Sequence, residues 1–328
     1  MTAWNGKRVL VTGAGGFIGS HLAERLVQLG ANTRALVHYR ANGSWGWLDQ
    51  SPVRDELEVM GGDIRDRDCV MQAMKDVEVV FHLAALIAIP YSYDTPDSFL
   101  ETNIRGTLHV LQAARQCGVK RLVHTSTSEV YGTAQYVPID ESHALQGQSP
   151  YAATKIGADK LAEAFWLSFN VPVVTVRPFN TFGPRQSARA IVPTIITQCL
   201  TAERVRLGHL HPTRDLNFVA DIVEGFVSAA SSAQAVGRTI NLGSGREIQI
   251  EALARMIAQL IGRDIVVEQD EERVRPESSE VDRLLADNRV AREVLGWRPA
   301  TSLEEGLQMT IEWFRAHLDA YRPGVYAV

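Results

Sequence analysis

The first half of the chain alternates short apolar, β-branched runs with longer segments in which apolar residues recur at helical spacing. Such runs are typical of strands buried on both faces of a parallel sheet, and the segments between them can form crossover helices. The pattern therefore predicts an α/β fold with a doubly wound parallel sheet. The predicted strands are 8–12, 33–38, 57–60, 77–81, 121–125 and 171–176.

Beyond residue 176 the strict alternation loosens, which predicts a second, smaller α/β lobe built from several segments. We expect the first domain to comprise 1–178 with returning segments near 215–243 and 287–295, and the second lobe to comprise the rest of 179–328. The predicted helices of this half are 191–200, 221–230, 251–261, 287–295 and 303–318, and the predicted strands are 205–207, 239–242 and 265–268.

Two segments of the first half interrupt the pattern with proline or polar residues. Residues 89–93 contain Pro90 and are predicted to form a loop, whereas 97–116 are predicted to form one long helix. Asn103 lies inside that helix. It either takes part in chemistry or hydrogen-bonds to neighbouring backbone, and both interpretations stay open.

Glycines follow the first predicted strand and precede a helical segment. Gly13, Gly16 and Gly19 flank Phe17 and Ile18 in the order strand, tight turn, helix. Glycines at such a turn let the backbone approach a pyrophosphate, and the start of the helix offers free N–H groups to it. The segment therefore predicts a dinucleotide-binding site of the Rossmann type.

The end of the second predicted strand bears on which dinucleotide binds. An acidic residue there, about 20 residues past the glycines, hydrogen-bonds the adenosine ribose of NAD. This chain has His38 and Arg40 and lacks an acid in 36–40, so the side chains suit the 2′-phosphate of NADP. The cofactor is predicted to be NADP or NAD, with a preference for NADP.

Polar residues cluster where chemistry is expected in such a sheet. Thr127, Ser128 and Glu129 follow the strand 121–125, and open α/β sheets bind ligands at the carboxyl ends of their strands. Tyr151 and Lys155 begin the next helical segment and, four residues apart, share one helical face. The lysine ammonium is expected to favour the tyrosine phenolate and so lower the pKa of Tyr151.

Together these segments resemble the extended short-chain dehydrogenase/reductase family, also called the NAD-dependent epimerase/dehydratase family. The resemblance rests on the Gly-x-x-Gly-x-x-Gly turn, the Tyr151/Lys155 pair, the segment 177–186 and the turn 241–245. It implies a nucleotide-sugar substrate and a homodimer formed through helices near 97–116 and 151–168. The residues that it implies for the cofactor, beyond the glycine turn, are Asp63 and Ile64 on the adenine side, Leu83, Ala84 and Ala85 on the nicotinamide side, and Tyr151 and Lys155. Those that it implies for the substrate are Tyr91, Asn180, Arg185, Arg214 and Arg275.

Within that family the segment 127–129 is the most informative. Thr-Ser-Glu resembles the triplet of GDP-mannose 4,6-dehydratases and UDP-glucuronate decarboxylases. The loops 43–48, 177–190 and 212–215 resemble those of nucleotide-N-acetylglucosamine 4,6-dehydratases of legionaminic acid pathways. The resemblance implies conversion of UDP- or GDP-N-acetylglucosamine to a 4-keto-6-deoxy sugar, with a tightly bound cofactor regenerated in each turnover.

Three other functions compete with that prediction. A 4-epimerase would share Tyr151 and Lys155 but needs no base at C5, the role expected for Glu129. A UDP-glucuronate-type decarboxylase would need a basic group for the C6 carboxylate, and none is identified. A non-catalytic NADP-sensing regulator often loses the tyrosine or the lysine, and both are present.

Composition narrows the class of protein further. The chain has 328 residues, of which 45% are hydrophobic and 22% charged, with a formal net charge of −5 and no basic run. We therefore expect no nucleic-acid partner. Cys69, Cys117 and Cys199 are widely spaced and predict neither a metal site nor disulfides, which suits the cytoplasm. No apolar run reaches the roughly 18 residues of a membrane span, and no signal peptide is evident.

Overall fold

A computed structural model describes residues 3–274 and 276–321. Its centre is a seven-stranded parallel sheet with the strand order β11-β6-β5-β4-β1-β2-β3. These strands are β1 (Arg8–Thr12), β2 (Asn32–His38), β3 (Glu58–Gly62), β4 (Val79–His82), β5 (Arg121–Thr125), β6 (Val173–Pro178) and β11 (Thr239–Leu242). The predicted α/β fold is confirmed.

Helices cover both faces of the sheet because its strands alternate their apolar side chains between two cores. In β1, Val9 and Val11 face the core shared with α1 and α8, while Leu10 faces the core shared with α2, α5 and α6. The helices are α1 (Phe17–Gln28), α2 (Arg67–Met74), α3 (Ile89–Asp94), α4 (Pro96–Phe99), α5 (Gly106–Cys117), α6 (Pro150–Phe169), α7 (Ile191–Thr201), α8 (Val219–Ser231), α9 (Ile250–Ile261), α10 (Arg289–Leu295) and α11 (Leu303–Ala316).

Short strands from the second half of the chain form three small sheets beside the large one. They are β7 (Thr181–Phe182), β8 (Arg204–Leu207), β9 (Thr213–Arg214), β10 (Asn217–Phe218), β12 (Ile248–Gln249), β13 (Val266–Gln269) and β14 (Arg283–Leu284). The division into domains stays a prediction, but the second half does carry the smaller sheets, whereas β11 returns to the central one.

Two predicted elements of the first half differ from the structure. The expected loop 89–93 is the helix α3, in which Pro90 occupies the first turn, where its missing N–H costs no hydrogen bond. The expected single helix 97–116 is α4, a π-helical turn at Leu100–Arg105, and α5. The π turn surrounds Asn103.

The cysteines are free thiols: Cys199 is buried and the other two are half-buried. Across the two described ranges, no helix is both long and apolar enough to cross a membrane. In the same ranges, no group of three or more His, Cys, Asp or Glu side chains is arranged to hold a metal ion.

Candidate active site

The glycine turn after β1 forms a cradle of bare backbone at the start of α1. Gly13 has φ +72°, and a Cβ there would lie 2.8 Å from the Ala84 amide nitrogen. A Cβ at Gly19 would overlap the Gly13 carbonyl oxygen. Gly16 is the N-cap of α1, no described side chain caps that helix, and its first turn, begun by Phe17 and Ile18, is free of acidic residues. Its N–H groups and positive dipole end therefore fit the pyrophosphate of a dinucleotide.

The backbone predicted to contact the nicotinamide half is fixed against β1. Thr12 Oγ1 accepts hydrogen bonds from the amides of Leu83 (3.2 Å) and Ala84 (3.1 Å) and lies 2.9 Å from His82 Nδ1. Since that oxygen already accepts two N–H groups, its own hydroxyl donates to Nδ1, which makes His82 a neutral Nε2–H tautomer. Burial holds the pKa of His82 well below its usual value, consistent with this tautomer. Leu83, Ala84 and Ala85 are all half-buried.

The predicted adenosine side lies at the ends of β2 and β3. His38 is exposed, with its Nδ1 4.0 Å from Asp63 Oδ2, and Arg40 is also exposed. Asp63 accepts two side-chain hydrogen bonds from Arg65 Nε and one of 2.6 Å from Arg65 Nη2, and these lower the pKa of the carboxyl. Ile64 is buried, and its side chain fills the space beside Gly106. The end of β2 thus carries two exposed basic side chains.

The catalytic candidates converge at the carboxyl end of β5. Thr127 caps a 3-10 turn, Ser128–Tyr131, by accepting a hydrogen bond of 3.2 Å from the Glu129 amide. Ser149 caps α6, which carries Tyr151 and Lys155 on one buried face. The Thr127 hydroxyl and the Glu129 carboxylate both lie close enough to the Tyr151 phenol to shift its pKa, the first downwards and the second upwards. Thr127, Glu129 and Tyr151 therefore share one site, while Ser128 is buried within the turn.

The electrostatics of the pair on α6 correct one expectation. Burial raises the pKa of Tyr151; the hydrogen bond from Thr127 opposes this, and the Glu129 charge adds to it. Lys155 donates a hydrogen bond of 2.6 Å to the Thr125 carbonyl oxygen, and burial lowers its pKa to about 8. The predicted lowering of the Tyr151 pKa by Lys155 is therefore wrong for the free protein, because desolvation of the phenolate dominates.

The hydrogen-bond partners of Asn103 decide between the two interpretations of this residue. Its Oδ1 accepts from the Leu86 amide (2.9 Å), and its Nδ2 donates to the Leu86 carbonyl (2.9 Å) and to Thr154 Oγ1 (3.1 Å). Thr154 in turn donates to the Tyr151 carbonyl. Asn103 thus ties the segment after β4 to α6, and hydrogen bonding to backbone is its role in this structure.

Two further predicted substrate residues are Tyr91, on α3, and Asn180, between β6 and β7. The Tyr91 ring lies 6.1 Å from Phe99, whose ring lies 6.3 Å from Tyr151. Asn180 follows β6, and its buried Oδ1 has no hydrogen-bond partner among the described residues. An unpartnered buried oxygen of this kind suits a ligand donor or a bridging water.

The three predicted substrate arginines have different surroundings. Arg214 on β9 is buried, with its Nη2 3.0 Å from Glu280 Oε1. Arg185 instead pairs with Glu24 (2.9 Å) and reaches Ser20 (3.2 Å), both on α1. This guanidinium lies in the contact between the chain halves, and its assignment to the substrate stays a prediction. Arg275 lies outside the described residues.

A buried polar network behind the site was not predicted. The Asp159 carboxylate, one turn after Lys155, accepts from His124, Ser126 and Arg177. Arg177 also donates to Tyr131 Oη, which donates to Asn241. The sequence did contain a signal for it: Asp159 follows Lys155 at the same four-residue spacing that separates Tyr151 from Lys155.

Comparisons with known proteins agree with this geometry. The family model described as GDP-mannose 4,6 dehydratase matches residues 10–310. The UDP-glucose 4-epimerase of Mycolicibacterium smegmatis is 36% identical over 314 residues, which cover 94% of this chain and 98% of that protein. The dTDP-glucose 4,6-dehydratase of Mycobacterium tuberculosis is 32% identical over 321 residues, 96% of each chain.

A solved structure extends the likeness to three dimensions. DesIV, a dTDP-glucose 4,6-dehydratase from Streptomyces venezuelae with NAD and TYD bound, superposes with a TM-score of 0.86 at 30% identity, covering 96% of this chain and 99% of that one. The chain belongs to the GDP-mannose 4,6-dehydratase-like group of the NAD-dependent epimerase/dehydratase family of short-chain dehydrogenases.

Proposed function

We propose that the protein is a nucleotide-sugar 4,6-dehydratase that acts on UDP- or GDP-N-acetylglucosamine. The observation that carries the proposal is that Glu129 lies close enough to Tyr151, at the end of β5, for its charge to raise the pKa of the phenol. Oxidation at C4 needs only one protein base, the tyrosine, besides the hydride acceptor. Removal of the C5 proton needs a further base, and Glu129 supplies a carboxylate in reach of the same site.

Tyr151 accepts the proton of the sugar 4-hydroxyl, and Thr127 hydrogen-bonds the same oxygen. NAD(P) held by the glycine turn at 13–19 and by Lys155 would supply the hydride acceptor for C4 and the hydride donor for C6. Because burial raises the pKa of Tyr151, its deprotonation depends on charge brought close to it. The Lys155 ammonium, one turn further along the same helical face, favours the phenolate once the substrate has excluded water.

Glu129 performs both proton transfers of the elimination. With a ketone at C4 the C5 proton is acidic; Glu129 removes it and then protonates the C6 hydroxyl, which leaves as water. Ser128 is assigned no acid role, because a hydroxyl is a far weaker acid than a carboxylic acid, and its side chain is buried. Glu129, deprotonated again once the water has left, takes up a proton from solvent and delivers it to C5, while Tyr151 releases the 4-hydroxyl proton, so the net change is the loss of one water.

Asn180 and Arg214 are the residues proposed for the sugar nucleotide. The unpartnered Asn180 Oδ1 suits a hydroxyl or N–H donor of the nucleoside or sugar, and the buried Arg214 guanidinium suits the diphosphate. The assignment of N-acetylglucosamine as the sugar, and of a legionaminic acid pathway, is supported by the resemblance of the loops 43–48, 177–190 and 212–215. The exposed His38 and Arg40 favour NADP, and exposed Leu100 and Leu167 near the predicted interface helices support a homodimer.

The test is a mass measurement on the products. The protein as purified is incubated with UDP- and GDP-N-acetylglucosamine in parallel, and the sugar nucleotide is analysed by mass spectrometry. Loss of one water from either substrate supports the proposal. A new isomer of unchanged mass would instead identify a 4-epimerase. In a third incubation, with UDP-glucuronate, loss of carbon dioxide would identify a decarboxylase.

A further inference from the structure

One face of α6 carries three ionisable side chains on successive turns. Tyr151, Lys155 and Asp159 are four residues apart, so they stack along one side of the helix. All three are buried, with 7%, 5% and 5% of their surface exposed. The first two belong to the proposed chemistry. Asp159 has no part in it, and a carboxylate buried this deeply needs a physical reason.

The Asp159 carboxylate is held by four donors. Its Oδ1 accepts from His124 Nε2 at 3.0 Å, and its Oδ2 accepts from Ser126 Oγ at 2.7 Å and from Arg177 Nε and Nη2 at 3.1 and 2.9 Å. Burial alone would raise the pKa of Asp159, but the His124 hydrogen bond and the charges of Arg177 and Lys155 lower it to about 2. Asp159 is therefore a fixed negative charge beside Lys155 throughout the physiological pH range.

The same contacts fasten α6 to the end of β5. Lys155 donates to the Thr125 carbonyl at 2.6 Å, and Ser126, the next residue, donates to Asp159. Two adjacent residues of one strand end are thus tied to two adjacent turns of one helix. Thr127 and Glu129 follow directly, so their position depends on these two ties.

We propose that Asp159 is a positioning residue that keeps the buried Lys155 amine protonated and holds the start of the segment 127–129 against α6. The link to turnover rests on the proposed function. The charge state of Lys155 does not, because it can be measured whatever reaction the protein catalyses.

The charged and titratable groups around Lys155 give the direction of the effect. Burial lowers the pKa of Lys155 to about 8, and Asp159 raises it against that trend. The neighbouring titratable groups on other elements are His82 on β4 and His124 on β5, while Arg177 on β6 acts together with Lys155 on the Asp159 carboxylate. Burial lowers the pKa of both histidines, so they are neutral at pH 7 and above. Without Asp159, deprotonation of Lys155 moves to lower pH.

NMR can follow this amine because the chain has only five lysines, Lys7, Lys75, Lys120, Lys155 and Lys160. Lys155 is the buried one. The holoenzyme is labelled with 13C-lysine, Lys155→Met assigns the resonance, and the Cε shift is followed against pH. We expect a midpoint near pH 8 for the wild type and about one pH unit lower for Asp159→Asn. An unchanged midpoint in Asp159→Asn would overturn the charge assignment.

Two further variants keep the test decisive. Glu163→Gln removes an exposed carboxylate from the same helix and should leave the midpoint unchanged. Should Asp159→Asn fail to fold because Arg177 loses its partner, the comparison moves to Arg177→Gln against the double variant Arg177→Gln/Asp159→Asn. The midpoint should again fall by about one pH unit between those two, and equal midpoints would contradict the proposal.

The second part of the proposal, that Asp159 holds the start of the segment 127–129 against α6, is tested by Ser126→Ala, which retains every charge. We expect the Lys155 midpoint to be unchanged while kcat falls about tenfold or more with KM nearly constant, since misplacement by a fraction of an ångström is costly. An unchanged kcat would overturn this half. If the enzyme proves to be an epimerase, the proposed dehydration fails while the lysine titration remains a valid test.

Discussion

Lys155 Nζ donates a hydrogen bond of 2.6 Å to the carbonyl oxygen of Thr125, the last residue of β5. One buried ammonium thus joins the helix that carries Tyr151 to the strand that leads into Thr127 and Glu129. Its burial has a cost to stability, because the folded protein binds that proton less tightly than the unfolded chain does.

Lys155→Met should reveal that cost as a pH dependence. The pKa is about 8 in the folded protein and 10.5 in the unfolded chain, so between these values only the unfolded chain holds the proton. The free energy of unfolding of the wild type should therefore rise relative to the variant by about 2 kcal/mol from pH 7 to about pH 10. Urea unfolding at several pH values measures it, and parallel pH curves for both proteins would contradict the burial of a charged amine.

Removal of the Thr127 hydroxyl should slow the chemistry without weakening binding. In Thr127→Val the phenol loses a hydrogen bond that lowers its pKa, so the proton transfer becomes harder. We expect kcat to fall about tenfold to hundredfold with KM nearly constant. Thr127→Ser keeps the hydroxyl and is the matched control. Equal losses in both variants would indicate a packing defect instead.

Arg214→Met should weaken the binding of the sugar nucleotide. Loss of a charge-assisted contact to a diphosphate is expected to raise KM about tenfold to hundredfold, with a smaller change in kcat. Arg283→Met is the control, since Arg283 lies on the neighbouring strand β14 but is half exposed and pairs with Glu247. If both variants bind the substrate as well as the wild type, Arg214 does not contact it.

The basic residues at the end of β2 should determine the cofactor. The protein as purified is denatured, and the released dinucleotide is identified by chromatography. We expect NADP from the wild type and a shift towards NAD in His38→Ala/Arg40→Ala, because a 2′-phosphate loses its cationic partners. Arg298→Ala, at another exposed arginine, should leave the ratio unchanged. Release of NAD alone from the wild type would show that these side chains do not select the cofactor.

Local patterns in the sequence were sufficient for the parts of the site that depend on spacing along one element. The apolar run before Gly13 and the four-residue interval between Tyr151 and Lys155 predict their strand and helix face directly. The direction of the Tyr151 pKa could not be predicted, because it depends on burial by the whole fold.

Contacts between distant segments account for most of the remaining differences. The π turn forms around Asn103, whose partner Leu86 is 17 residues earlier, and Arg214 meets Glu280 after 66 residues. Arg185 pairs with a residue on α1, far away in the chain. From the sequence alone, Asp159 is expected to be a solvent-exposed charge on a helix. Its burial depends on contacts with the end of β5 and with β6, which form only in the folded protein.

The most direct test of the account is deuterium incorporation in heavy water. With UDP- or GDP-N-acetylglucosamine, the wild type should give a product that has lost one water and gained one deuterium at C5, because Glu129 loses the original C5 proton to the leaving water and takes up a solvent deuteron before C5 is reprotonated. Glu129→Gln should give neither product nor deuterium at C5, while Glu163→Gln behaves as the wild type. Full dehydration by Glu129→Gln would contradict the central claim that this carboxylate is the base at C5.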